Sequence, residues 1–417
     1  MPAFRRGDLA EVLSANHLLS LYLPALIMSI GTGVIAPVLP ALARSFEVDL
    51  VVASQLLFSY QAGSAAVVPL LGYLLDRIGR RPTLLAGPII LGVCGAATAF
   101  AGSFPELLVY RFLAGAANQL WWQARLVVIA DTAPPEQRAR LITWMVGLQR
   151  AGMLVGPLAG GFLAAGFGLR WPFVLYGLLS ALAVVPSFRL VKETAPSIVL
   201  KGEAPAEASW GRVLAIIFTL QMMVFLLVQL LATICRGGLE TGTLNLYTVY
   251  AYGTPVEQLG IINTIAALVS LPIPFVTGHL MDRHGRKGIV APGFALLALS
   301  LAVMAGTAFL NMPFEAFVAT FILVNAATSI TSGTMQVLGA DLAPAFARGR
   351  FFSVWRLIAQ LGGALSPLVF AVVSDSASYG AAFTVLGACS LAVALLVGIA
   401  MRETGGTRRP ATPAPSP

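Results

Sequence analysis

Along this chain, apolar and polar positions alternate on the scale of whole helices. Predominantly apolar runs of about 20 residues, the length that crosses a bilayer core, recur twelve times. They fall near 17–42, 50–75, 82–103, 106–131, 140–166, 171–190, 212–250, 256–281, 288–310, 314–341, 351–374 and 379–401. Short polar stretches separate them. The pattern predicts an all-α polytopic membrane protein with twelve transmembrane helices. The seventh run is too long for one straight crossing, and Gly237, Gly238 and Gly242 predict a break or a bent end there. The one sizeable polar segment, 192–210, carries Pro196, Pro205 and several charges. The expected organisation is a six-helix half over 1–191, a cytoplasmic linker over 192–210 and a second half over 211–403, two pseudo-symmetric bundles. The Pro-rich tail, 404–417, is expected to be disordered.

Composition agrees. Hydrophobic residues make up 58% and charged residues 11%, where a soluble domain carries about a quarter charged. The net charge of +8 sits in short loops between apolar runs, not on a basic–aromatic surface, so no nucleic-acid partner is expected. Cys94, Cys235 and Cys389 all lie in apolar runs and read as small buried hydrophobes. His17, His279 and His284 have no metal-ligand spacing and no nucleophile beside them. With no phosphate-binding loop either, the expectation is a protein that is not an enzyme and needs no metal or cofactor. The leader, Met1–Glu11, shows no cleavage pattern.

Positive charge sets the expected orientation. With both termini cytoplasmic, inner segments hold 19 Lys/Arg while outer loops hold only Arg44 and Arg170, as the positive-inside rule requires. The expected location is the plasma (inner) membrane, with the bilayer around a monomer.

Two segments repeat at half-chain separation. Gly72-Tyr-Leu-Leu-Asp76-Arg77-Ile-Gly79-Arg80-Arg81 returns as Gly278-His-Leu-Met-Asp282-Arg283-His-Gly285-Arg286-Lys287. The first Gly of each permits close helix packing, the second a tight turn, and the Asp a helix cap or an Arg partner. Asp131-Thr-Ala-Pro134 through Arg138-Ala-Arg140 returns as Asp341-Leu-Ala-Pro344 through Arg348-Gly-Arg350. Duplicated six-span halves point to a transporter whose substrate site lies between them.

These residues resemble the major facilitator superfamily over essentially the whole chain, the paired loops matching its signature between spans 2 and 3 and spans 8 and 9. Pro37-Val-Leu-Pro40, Arg111-Phe-Leu-Ala-Gly115 and Gly152-x-x-x-Gly156-Pro157-x-x-Gly160-Gly161 resemble its drug:proton antiporter branch. The signature's usual small residue before Asp is here Leu75 and Met281. The resemblance implies a cytoplasmic charge cluster of Asp76, Arg80 and Asp131, with Asp282, Arg286 and Asp341 as its second set. Gly72, Arg77, Gly79, Gly278, Arg283 and Gly285 would complete a conformational switch. Asp76 can then sit at the start of span 11 and hold one state closed. The resemblance also puts Arg111 at the branch's arginine linked to proton coupling.

Five arginines fall inside spans: Arg111, Arg125, Arg150, Arg236 and Arg356. An embedded charge costs at least ~2.5 kcal/mol and usually faces a cavity or a partner. Arg111, Gly115, Asn118, Trp122 and Arg125 make one stripe along span 4. At a rise of ~1.5 Å per residue its two arginines stand ~21 Å apart. Gly152, Gly156, Gly160 and Gly161, with Pro157 beside them, make a small-residue ridge for helix packing. Arg150 points away from that ridge, toward the cavity or toward Asp131. Arg356 and Gln360 lie one turn apart, positioned to line the path between halves or to cross-link helices. Span 10 offers Asn325, Thr328, Ser329, Thr331, Ser332 and Gln336 as lining or as helix–helix hydrogen bonds. Arg236 and Glu240 are spaced i, i+4 for an ion pair. Glu240, the one acid placed well inside a span, suits a carboxylate that takes up and releases protons, or a static pair.

The expected cavity residues are Arg125, Asn118, Trp122, Arg150, Arg356 and Gln360, with Glu240, Arg236 and Arg111 coupling protons. Five arginines against one acid favour an anionic, zwitterionic or neutral amphipathic small molecule. Span 1 has no carboxylate to read a cation, a departure from the antiporter comparison. The expected function is proton-coupled efflux by alternating access. Uptake of a solute or lipid-like anion by symport or uniport is the alternative, with a non-transporting receptor on the same fold third.

Overall fold

The structure is a computed structural model that describes residues 21–132, 135–191, 193, 219–342 and 348–401. The leader, His17, most of the expected linker, Pro134, Pro344 and the tail lie outside the described residues.

Among the described residues every regular element is helical. The first half contains α1 (Leu23–Ile35), α2 (Val38–Arg44), α3 (Leu50–Val67), α4 (Arg80–Phe100), α5 (Phe104–Thr132), α6 (Pro135–Phe167) and α7 (Trp171–Leu190). The second contains α8 (Leu220–Thr241), α9 (Thr243–Tyr252), α10 (Val256–Ser270), α11 (Ile273–His284), α12 (Lys287–Phe309), α13 (Phe314–Thr331), α14 (Thr334–Leu342), α15 (Arg348–Ser376) and α16 (Tyr379–Ala400). Eleven segments are long and apolar enough to cross a membrane. The twelfth crossing is α5, 29 residues long. Its hydropathy is lowered by Arg111, Asn118, Gln119, Gln123 and Arg125, yet it packs between α3 and α4 inside its half.

Local chemistry explains the boundaries. Asp49 Oδ1 accepts from Val52 N at 2.7 Å and caps α3; Ser378 Oγ accepts from Ala381 N at 3.1 Å and caps α16. The long seventh run breaks at Gly242 alone, whose φ of +120° suits glycine. Gly237 and Gly238 stay helical, and there a Cβ on Gly237 would lie 2.6 Å from Gly363 Cα and one on Gly238 2.6 Å from Ser366 Oγ. These two glycines serve the approach of α8 to α15.

In the first half α1 packs on α6 and α7, and α4 on α5 and α7; in the second α12 packs on α16, and α8 on α15 and α16. The halves meet along α6 against α10 and α3 against α15. The glycine ridge brings α6 close to α1 inside the first half, and Gly161 brings it close to α10 across the halves. A Cβ on Gly152 would meet Ser29, one on Gly156 would meet Ile30 and Gly33, and one on Gly160 would overlap Val34, all on α1. Gly161 faces the other way, against Val256 and Gly260 of α10. Without a hydrophobic driving force in lipid, such close backbone packing is a main source of helix association.

Candidate functional site: a charged cavity between the halves

A cavity of about 550 Å³ lies between the halves, within the usual range for small-molecule sites. Its wall is mostly apolar, with Leu56, Leu57, Met153, Leu239 and Phe321 among the lining residues. Among the described residues three charged side chains reach it: Arg111 from α5, Arg150 from α6 and Glu240 from α8. Arg111 lies over the Tyr60 ring, 4.5 Å from its centroid, and Asn118 sits against the Tyr60 hydroxyl. Arg150 donates from Nη2 to Ser332 Oγ at 3.2 Å and lies within Coulombic reach of Glu240 and Arg236. Glu240 Oε1 pairs with Arg236 Nη2 at 2.6 Å, and its side chain is 44% exposed against 12% for Arg236. Arg236 therefore holds Glu240 from behind while the carboxylate faces the cavity. Asn325, Thr328 and Ser329 of α13 and Ser332 at its C-cap line the wall, whereas Thr331 and, on α14, Gln336 do not.

Of the six expected cavity residues only Arg150 is in the wall; Arg125, Asn118, Trp122, Arg356 and Gln360 are placed elsewhere. For Arg125 the reason is depth, about four helical turns from Arg111. It is 1% exposed, with its guanidinium 3.6 Å from the Trp121 centroid and 5.3 Å from that of Trp122. Its Nε and Nη1 have no hydrogen-bond partner among the described residues, so stacking on tryptophan stands in for an ion pair. Arg356 and Gln360 belong to a polar strap that joins α15 to α3 and α5. Gln360 Nε2 donates to Ser64 Oγ at 3.2 Å, and Ser64 donates to Gln119 Oε1 at 3.4 Å. With its oxygen turned toward Arg356, Gln123 accepts from Arg356 Nη2 at 2.8 Å and from Gln119 Nε2 at 3.2 Å.

One mouth of the cavity is latched by the second half. Arg44 Nη1 donates to Val249 O at 2.7 Å, Tyr250 Oη to Val48 O at 3.0 Å, and Asn245 Nδ2 to Ala36 O at 3.3 Å. These partners sit on α9, which is buried almost throughout. Tyr247 anchors it, its ring centroid within 6.4 Å of those of Tyr252, Phe317, Phe370, Tyr379 and Phe383.

The repeated loops lie at the opposite face. Gly79 and Gly285 both have positive φ, +108° and +90°, so each second glycine serves a turn that a side chain would strain. Each loop then aims its arginine back at the same relative carbonyl, Arg80 Nη1 at Leu75 O (3.0 Å) and Arg286 Nη1 at Met281 O (3.4 Å). Arg80 Nε also pairs with Asp131 Oδ2 at 3.1 Å. Arg77 lies 5.7 Å from the Tyr73 ring centroid, and Arg283 is exposed. At Gly278 a Cβ would meet nothing within 4 Å among the described residues, so close packing there is not seen. The side-chain surroundings of Gly72, Asp76, Asp282 and Asp341 lie outside the described residues, as do those of Arg138, Arg140, Arg348 and Arg350.

Sequence reasoning missed several partners. Glu193 accepts from the backbone N–H of Arg80 (2.9 Å) and Arg81 (3.1 Å), capping α4 from the far end of its half. Its only sequence signal was an acid just after span 6. Ser64, Gln119 and Gln123 were legible as polar residues inside spans, but they lie off the arginine stripe of span 4. Arg44 had read only as an outer-loop charge.

Two helical bundles around a mostly apolar cavity that charged side chains reach, crossing a membrane twelve times, define a multi-pass membrane carrier. The chain belongs to the Major Facilitator Superfamily, whose family model matches residues 21–251 and 226–417. It is 27% identical over 357 residues to the class B tetracycline resistance protein of Escherichia coli, covering 84% of this chain and 86% of that protein. It is 26% identical over 358 residues to the multidrug resistance protein MdtG of Enterobacter lignolyticus (strain SCF1), covering 84% and 82%. In fold it is similar to a D-xylose-proton symporter (TM-score 0.78, 18% identity, 94% of this chain and 99% of that one). It also resembles the inward-open xylose transporter XylE of E. coli (TM-score 0.74, 17% identity, 95% and 97%). The protein is a transporter of this superfamily, not an enzyme, and it moves a small molecule.

Proposed function

We propose that the protein is a secondary transporter that moves a small amphipathic compound by alternating access, coupled to protons through Glu240. The observation that carries this reading is the cavity itself. Among the described residues Glu240 is the one carboxylate in its lining, paired with Arg236 and within Coulombic reach of Arg150, where protonation changes the charge that a substrate meets. The Arg80 face is the cytoplasmic one by its excess of Lys/Arg, in the plasma membrane, with the chain acting as a monomer in two halves joined by the 192–210 linker. Export is the first expectation for direction, supported by similarity to proteins named for tetracycline and multidrug resistance. The cluster around Arg80 and Asp131 would break and re-form as the cytoplasmic mouth opens and closes.

A second reading, symport of an anion, is favoured by the positive balance of the cavity, where Arg111 and Arg150 face Glu240 alone. Both readings are tested in proteoliposomes with a pH gradient of either sign, using three probes that share one apolar body: biphenyl-4-carboxylate, its amide and the corresponding methylammonium. Gradient-driven movement of at least one probe that is lost in Glu240→Gln supports proton-linked transport. Movement indifferent to the gradient and to Glu240 overturns it.

A further inference from the structure

The sign of the coupling follows from the charges around Glu240, given the proposal above that this cavity is the transport site and Glu240 its proton acceptor. On its own helix Glu240 faces Arg236 at 2.6 Å, with Cys235 fully buried one turn below. From α6 comes Arg150, within Coulombic reach of both Glu240 and Arg236, and from α5 Arg111 lines the same cavity. Of the elements packed on α8, α16 brings Cys389, beside Cys235, and α9 brings tyrosines, of which Tyr247 is held in the aromatic cluster. Glu315 and Asp375 are exposed near the helix ends. Among the described residues no second carboxylate lines the cavity.

Glu240 is therefore the ion-pair partner of Arg236 and acts on Arg150 through space. Arg150 has one further hold, the neutral Ser332 hydroxyl. An anionic ligand in the cavity competes with ionised Glu240 for those two cations. Protonation removes the competitor: Arg150, Arg236 and Glu240 go from a net charge of +1 to +2, and one bound anion restores +1. A cationic ligand meets the opposite conditions, favoured by ionised Glu240 and repelled once it is protonated.

We propose that this site binds a proton and a monoanionic amphiphile together, with Glu240 taking the proton and Arg150 selecting the anion. Both then cross in the same direction, which selects the second reading above, anion symport, over export driven by proton entry. The apolar wall of Leu56, Leu57, Met153, Leu239 and Phe321 receives the body of the molecule, which places the preferred substrate among lipophilic carboxylates or sulfonates. Removing one charge about 6–12 Å away at an effective dielectric constant of about 20 changes affinity by about tenfold to a hundredfold.

The test is binding by purified, solubilised full-length protein, with the proton balance followed in weak buffer. Biphenyl-4-carboxylate, an aromatic carboxylate ionised throughout, is compared with its amide and the methylammonium analogue between about pH 5.5 and about pH 8. The expected result is tighter carboxylate binding at the lower pH, with net proton uptake on binding. Glu240→Gln, which keeps a hydrogen bond for Arg236, should bind the carboxylate tightly at every pH and take up no proton. Arg150→Ala should bring carboxylate and amide affinities together, and Arg150→Lys should restore part of the difference. Proton release on carboxylate binding, or affinity indifferent to pH, would overturn the inference. Preference for the methylammonium probe with proton release also overturns it, yet leaves proton-linked transport standing as an antiporter. Binding of no probe, or no Glu240-dependent proton movement with any of them, overturns both.

Discussion

Removing the latch at the Arg44 mouth should move the conformational equilibrium measurably toward opening at that end. Three side chain to backbone hydrogen bonds join the halves there, from Arg44, Tyr250 and Asn245. Each is made across the halves, so each must break when this mouth opens. A hydrogen bond from a charged donor is worth about 1.5–3 kcal/mol and a neutral one about 1. Arg44 is an exposed residue, so its lower figure applies. Arg44→Ala should then shift the open-to-closed ratio about tenfold, and Arg44→Ala with Tyr250→Phe about fiftyfold. The assay is electron–electron spin-distance measurement in nanodiscs, with labels at Glu47 and Ala251, exposed positions in opposite halves beside the latch. Cys94, Cys235 and Cys389 are replaced first. A longer-distance population should grow in Arg44→Ala and dominate in the double variant. Distance distributions unchanged in both variants would refute the latch, and growth with Tyr250→Phe alone would assign it to the wrong residue.

Three further outcomes follow from packing and capping. Gly156→Ala puts a Cβ 2.5 Å from Ile30 O and 2.6 Å from Gly33 Cα, so α1 and α6 must part, at a cost of about 1–3 kcal/mol. Thermal unfolding should show a clear loss there and almost none for Gly166→Ala, which meets nothing within 4 Å. Arg125→Lys should destabilise the fold, because an ammonium loses the flat stacking on Trp121 worth about 2 kcal/mol in a dry site. Trp121→Leu should cost more than Trp122→Leu, given centroid distances of 3.6 and 5.3 Å, and equal losses would contradict that reading. Glu193→Ala should weaken the start of α4 by about 0.5–2 kcal/mol, seen as faster hydrogen exchange at the amides of Arg80 and Arg81.

How much of this was legible in the sequence depends on which physics sets each feature. Helix number and length follow from bilayer thickness and could be read directly. Even the break in the seventh run was foreseeable, although which of Gly237, Gly238 and Gly242 would make it was not. The second glycines of the repeated loops were legible because a tight turn is a local demand. The role expected of Gly278 is not seen among the described residues, because close packing is a property of two helices. The cavity was only half legible for the same reason. Arg111, Arg150 and Glu240 reach it, but helical periodicity alone could not say that Arg125 lies too deep or that Arg356 is bound to Gln123. Glu193 and Arg44 act on backbone groups more than a hundred residues away, and no periodic pattern marks such partners.

The role proposed for Glu240 is to carry the proton that accompanies the substrate. It is tested most directly by recording proton movement across proteoliposomes that hold a pH-sensitive dye, on addition of each of the three biphenyl probes to wild type and to Glu240→Gln. A probe-evoked change in internal pH in wild type, absent in Glu240→Gln although that variant still binds the probe, is the predicted result. An equal change in both proteins would mean that the proton travels by another group, and the account of the cavity would be wrong.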